Sequence, residues 1–105
     1  MQVKLKDIAN VIRSKNAGPY ELTLDVLLKD RETFEKMQKS DIINKKVIAQ
    51  LYKIPEEDVL SIVYFPNALA IKATIVRPLP SGAMGERDVY GAQQHGPLVN
   101  FAFEL

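Results

Sequence analysis

Arg13, Ser14, Lys15 and Asn16 form an unbroken polar run that ends at Ala17-Gly18-Pro19. A guanidinium offers a planar fork of donors, an ammonium a point charge, and a hydroxyl and a carboxamide add neutral donors. That set suits a carboxylate or a phosphate. The competing interpretation is structural: two cations and a Gly-Pro break are also what the carboxyl end of a helix favours.

A second polar stretch, "YGAQQHGP", runs from Tyr90 to Pro97. Gln93 and Gln94 carry paired donors and acceptors and Tyr90 a hydroxyl. His95 is the sole histidine, so it is the one side chain whose ordinary titration falls near neutrality. As a general acid or base it needs an orienting acceptor, for which Asp25 is the candidate. A lone histidine beside Gly96-Pro97 also fits a loop residue bonded to backbone. Arg77 is a third candidate, because it ends an otherwise apolar row and precedes Pro78; it either pairs with an anion or reaches out to solvent. The "SGAMG" that follows resembles a flexible lid more than a phosphate cradle, since no helix pattern starts after it, and no G-x-x-x-x-G-K occurs.

Several elements must position these residues. Leu5, Ile8, Ala9 and Ile12 fall at i, i+3, i+4, i+7, which predicts a helix over 4–14, ended by Asn16 or Gly18 in a left-handed conformation. From Tyr20 the period becomes two: Tyr20, Leu22, Leu24, Val26 and Leu28 alternate with Glu21, Thr23 and Asp25, a half-buried strand. Asp30 is a plausible N-cap for a helix carrying Phe34 and Met37, and Ser40 or Asp41 for one carrying Ile43, Val47, Ile48 and Leu51. "DVLSIVYF" and "ALAIKATIVR", separated by Pro66-Asn67, predict a hairpin whose second arm sets Lys72 and Thr74 opposite Ile71, Ala73 and Ile75. Tyr52, Tyr64 and Phe65 are expected in the core. Residues 98–105 alternate as a closing strand. "PLPSGAMGERD" between these parts is long for a structureless segment, a length usual for functional or mobile loops.

The order α, β, α, α, β, β, β implies one α+β domain over residues 1–105. It is a two-layer sandwich: a mostly antiparallel sheet with helices on one face. A ferredoxin-like topology is among the arrangements this order allows. At 105 residues there is room for one core and not for two. The net charge of +1 gives no footprint for nucleic acid or a membrane surface, although residues 1–53 carry 11 Lys/Arg against 7 Asp/Glu and residues 54–105 carry 3 against 6. Zero cysteines and one histidine exclude disulfides, a thiolate nucleophile and Cys- or His-rich metal sites, so no metal or cofactor is expected. The charged first residues do not form a secretory signal and no run approaches a membrane span, which makes a cytoplasmic location the expectation.

Taken together, "IRSKNAGPYELTLDV", "YKIPEEDVL" and "AIKATIVRPLPSGAMGERDVYGAQQHGPL" resemble a family that carries a domain-of-unknown-function label. The resemblance runs from about Leu5 to Leu98. Members accompany, or are fused to, large proteins of the acyclic terpene utilisation type (AtuA-like), and the small domain is assigned a ferredoxin-like fold. The resemblance therefore implies a small accessory subunit of an AtuA-like enzyme system in bacterial catabolism of acyl-CoA or carboxylic acids, contributing an anion-binding polar site. Its motifs match Arg13, Ser14, Lys15, Asn16, Gly18 and Pro19, then Arg77, Pro78, Pro80, Ser81 and Gly82, then Asp88, Tyr90, Gly91, Gln93, Gln94 and His95.

Two alternatives stand beside that expectation. One is an independent lyase, hydratase or isomerase acting on a carboxylate, with His95 as acid/base and Arg13 as anion clamp. The other is a small-molecule-binding regulatory module, a homo-oligomer through its sheet edges or termini, taking a carboxylate or acyl-CoA ligand.

Overall fold

The computed structural model describes residues 2–18, 20–76 and 96–105. Its elements are β1 (Gln2–Lys4), α1 (Leu5–Ile8), β2 (Ala9–Asn16), β3 (Glu21–Leu28), α2 (Arg31–Ser40), α3 (Lys45–Tyr52), β4 (Val59–Phe65), β5 (Ala70–Val76), α4 (Gly96–Val99) and β6 (Ala102–Glu104). Short 3-10 turns at Glu56–Asp58 and Pro66–Ala68 precede and follow β4. The main sheet is antiparallel with the order β2-β3-β5-β4, and β1 pairs with β6 in a second, two-stranded sheet.

The α+β architecture is the one that the element pattern predicts. Leu22, Leu24, Val26 and Leu28 of β3 and Ile71, Ala73 and Ile75 of β5 are buried on one face of the sheet. They share a core with Phe34 and Met37 of α2, Ile48, Ala49 and Tyr52 of α3, Leu5 of α1 and Leu98 of α4. Strand β3, the α2–α3 pair and β4 make a split β-α-β unit, with β5 between two parallel strands. A ferredoxin-like sheet contains such units. Its fourth position is filled here by β2, which arrives through a hairpin with β3 rather than by a second crossover.

The helix expected over 4–14 is a correction. A single helical turn covers Leu5–Ile8, and the chain then runs extended as β2. The spacing misled for a physical reason: Ala9 pairs with Leu28 and Val11 with Leu27, so Asn10 is the extra residue of a β-bulge. The bulge sends Ala9 and Ile12 to the same face three residues apart, which imitates a helix. Gly18 does adopt positive φ (122°), but it turns a hairpin instead of ending a helix, and Asn16 is strand.

Helix α2 begins as predicted, with the Asp30 carboxylate accepting from Thr33 N–H at 2.7 Å. That hydrogen bond holds the Asp30 carboxyl below its ordinary range. The α3 cap is a second correction. Asn44, not Ser40 or Asp41, accepts from Val47 N–H at 2.9 Å, while Ser40 ends α2 and Asp41 is its left-handed C-cap, φ 51°. Lys53, also left-handed, ends α3 two residues before Pro55.

Tyr64 ties the α2–α3 connection to the sheet edge. Its hydroxyl donates to Ile43 C=O at 2.9 Å and accepts from Ile43 N–H at 3.1 Å, while its ring meets Phe34 edge to face at 5.9 Å. Burial pushes the Tyr64 phenol up to about 12, and burial also raises that of Tyr52. Phe65, expected in the core, is 43% exposed because it alternates with Tyr64 to the opposite face. The closing strand is shorter than 98–105: Gly96–Val99 is a helical turn, and β6 pairs with β1, an N-terminal strand the sequence pattern did not reveal. No helix among the described residues is long and apolar enough to cross a membrane.

Candidate functional site

Strand alternation decides what the polar run Arg13–Asn16 can do. Ser14 lies opposite Leu24 and Asn16 opposite Leu22, on the side of the sheet that packs on the helices. Ser14 is buried there, and Asn16 is exposed at the strand end. Arg13 and Lys15 point to the other side, opposite Asp25 and Thr23. The four residues are therefore divided two and two by the sheet, and a single anion cannot collect donors from all four side chains. Arg13 Nε donates to Asp25 Oδ2 at 3.2 Å, so Asp25 orients Arg13. The Thr23 hydroxyl donates to Lys15 C=O at 3.2 Å, fastening the same hairpin.

Among the described residues no helix covers this second face, and its side chains form rows across the four strands. One row is Lys15, Thr23, Thr74 and Ser61; the next is Arg13, Asp25, Lys72 and Val63; the third is Val11, Leu27, Ala70 and Phe65. Rows of this kind lie about 7 Å apart along the strands, and neighbours within a row about 5 Å apart. The charge sequence across the middle row is plus, minus, plus. Arg13 and Asp25 are paired, and Lys72 makes no ion pair among the described residues.

A depression of about 470 Å³ opens where the charged and apolar rows meet, with Arg13, Asp25 and Lys72 on one side and Leu27, Ala70 and Phe65 on the other. Asn67 and Ala68, from the β4–β5 connection, close its end. Val11, Val63 and Phe65 are 38%, 40% and 43% exposed, so the face combines water-facing apolar groups with cations. A second cleft of about 470 Å³, lined by Lys46, Ala49, Gln50, Ile54 and Glu56 beside α3, contains none of the residues selected from sequence. Among the described residues no group of three His, Cys, Asp or Glu side chains could share a metal ion.

Arg77, Tyr90, Gln93, Gln94 and His95 lie outside the described residues. Strand β5 ends at Val76 opposite Glu21, at the end of the sheet that also carries the β2–β3 turn, where Ala17 N–H donates to Glu21 C=O at 2.9 Å. Sequence reasoning passed over Leu27, Phe65 and Lys72. The available signal was Leu27 itself, an apolar residue interrupting the polar face formed by Glu21, Thr23 and Asp25.

The model of a family described as a domain of unknown function, DUF4387, matches residues 5–102. The chain belongs to that family. The match spans every strand of the main sheet, so the open face described above lies wholly within the DUF4387 domain. No curated protein and no solved structure matches the chain.

Proposed function

We propose that this DUF4387 domain is a small accessory subunit that seats a larger protein on the open face of its four-stranded sheet. The observation that carries the proposal is the composition of that face among the described residues: Val11, Val63 and Phe65 stand exposed beside Arg13, Lys15 and Lys72. Exposed apolar and aromatic groups beside an arginine are what protein interfaces use, and the apolar part has no partner within the described chain. The larger protein is of the AtuA-like type implied by the sequence resemblance, and the shared task is cytoplasmic catabolism of acyl-CoA or carboxylic acid substrates in a bacterium. Arg13 contributes from the open face, held by Asp25, and Lys15 stands one row away. Arg77, Tyr90, Gln93, Gln94 and His95 join the proposal on sequence grounds.

Co-expression with an AtuA-like protein, followed by purification through a tag on one of them, tests the proposal. The expected result is recovery of both, and recovery falling at least tenfold when Val63→Lys and Phe65→Ser are combined. Failure of the two wild-type proteins to associate at micromolar concentration refutes it.

A further inference from the structure

We infer that the depression on the open sheet face binds a small amphiphilic monoanion, with its head on Lys72 and its apolar tail across Leu27, Ala70 and Phe65. This rests on the accessory-subunit reading only in placing function on that face; the ligand would bind the isolated domain.

The sign and number of charges come from the register. Arg13, Asp25 and Lys72 occupy consecutive strands in one row. The Arg13 guanidinium is engaged by Asp25 at 3.2 Å, which leaves the row with one positive charge in excess. That excess resides at Lys72, which is exposed and has no ion pair among the described residues. A single anionic head is neutralised there, whereas a dianion would leave a charge uncompensated beside the Asp25 carboxylate. Arg13, the obvious anion ligand from sequence, is already engaged by Asp25.

The tail follows from the neighbouring row. Leu27, Ala70 and Phe65 lie on three adjacent strands and offer a continuous apolar strip, about 10 Å long at ordinary strand spacing. Head and strip are separated by one step of two residues along β5, from Lys72 to Ala70, roughly 7 Å. A ligand therefore needs a head at one end and an apolar part long enough to cross that step. A short fatty carboxylate fits; acetate and inorganic phosphate lack the tail. Asn67, at the end of the depression, offers amide donors to a polar group on the far side.

Amide chemical-shift titrations of the isolated domain with hexanoate, acetate and hexylammonium test the inference. Hexanoate is expected to shift β3 and β5 amides around Leu27 and Lys72 and to bind roughly tenfold more tightly than acetate, through the buried methylenes. Hexylammonium, which has the same tail and the opposite charge, should not compete. Lys72→Gln, at an exposed position that leaves the fold intact, should weaken hexanoate at least fivefold, and Leu27→Asn should reduce it to the level of acetate. Equal binding of hexanoate and hexylammonium, shifts confined to other surfaces, or unchanged affinity in Lys72→Gln would each overturn the inference. None of these outcomes bears on whether the AtuA-like protein binds, so the two proposals fail independently.

Discussion

The two faces of the main sheet are built from the same strands by the same alternation, and they carry opposite tasks. On one face Leu22, Leu24, Val26 and Leu28 are at most 3% exposed, locked under α2 and α3. On the other, Asp25 and Leu27 are half-buried while Arg13, Lys72, Val63 and Phe65 meet water. The covered face is nearly pure hydrocarbon, with buried Ser14 and exposed Asn16 as its polar residues on the edge strand β2. The open face mixes charge with apolar surface. Stability is concentrated where water is excluded, and chemistry is available where it is not.

That contrast is broken most severely from the covered side. Leu24→Ala, at a position 1% exposed and flanked by Ser14 and Ala73, should cost about 2–5 kcal/mol because small neighbours cannot collapse into the space. Thermal or urea unfolding would show it, as a fall in midpoint of several degrees per kcal/mol.

Tyr64→Phe comes next, at about 1–3 kcal/mol, since it removes two hydrogen bonds to Ile43 and leaves the Ile43 amide and carbonyl without that partner. It also has a signature in pH. The Tyr64 phenol is raised to about 12 in the folded protein against about 10 when unfolded, so its contribution is complete below pH 10 and is lost as pH rises towards 12. The wild type should lose stability through that window more steeply than Tyr64→Phe. Equal slopes in alkaline urea melts would contradict the assignment.

Much of this was legible in the residues. The alternation of β3, the β4–β5 hairpin and the Asp30 cap follow from local rules, because in each the local preference and the tertiary environment agree. Other places did not follow. The spacing of Leu5, Ile8, Ala9 and Ile12 is helical by count, yet a turn of helix joined to a bulged strand produces the same numbers, and the bulge exists only once β3 has paired with β2. The run Arg13–Asn16 read as one cluster because sequence gives proximity along the chain; in a strand, proximity along the chain means opposite faces. Asp25 is engaged by Arg13 on the neighbouring strand, a pairing that depends on register, while its expected role toward His95 involves a residue outside the described ones. Lys72 was placed on the polar face of its strand, but nothing local distinguished it from any solvated lysine until Asp25 and Leu27 stood beside it.

Smaller effects sharpen the comparison. Asn44→Ala should cost about 1 kcal/mol, through loss of the cap on Val47 N–H, with the packing on the sheet unchanged. Amide exchange would then rise at Val47, in the first turn of α3, more than at Leu51 in its last. On the open face, Lys72→Gln should move stability by no more than about 0.5 kcal/mol. Arg13→Gln should cost at most about 1 kcal/mol, since the Arg13 side of its ion pair is largely in water. Large losses from either would mean that the open face helps to hold the fold together and is not reserved for binding.

The absence of cysteine from the chain makes the most direct measurement a clean one. Thiol labelling rates of the single-cysteine variants Val63→Cys, on the open face, and Glu35→Cys, on the water side of α2, can be compared with and without the AtuA-like protein. Docking on the open face predicts at least tenfold protection at position 63 and none at position 35. Protection at position 35 alone, or at neither while the two proteins remain bound to each other, would contradict it.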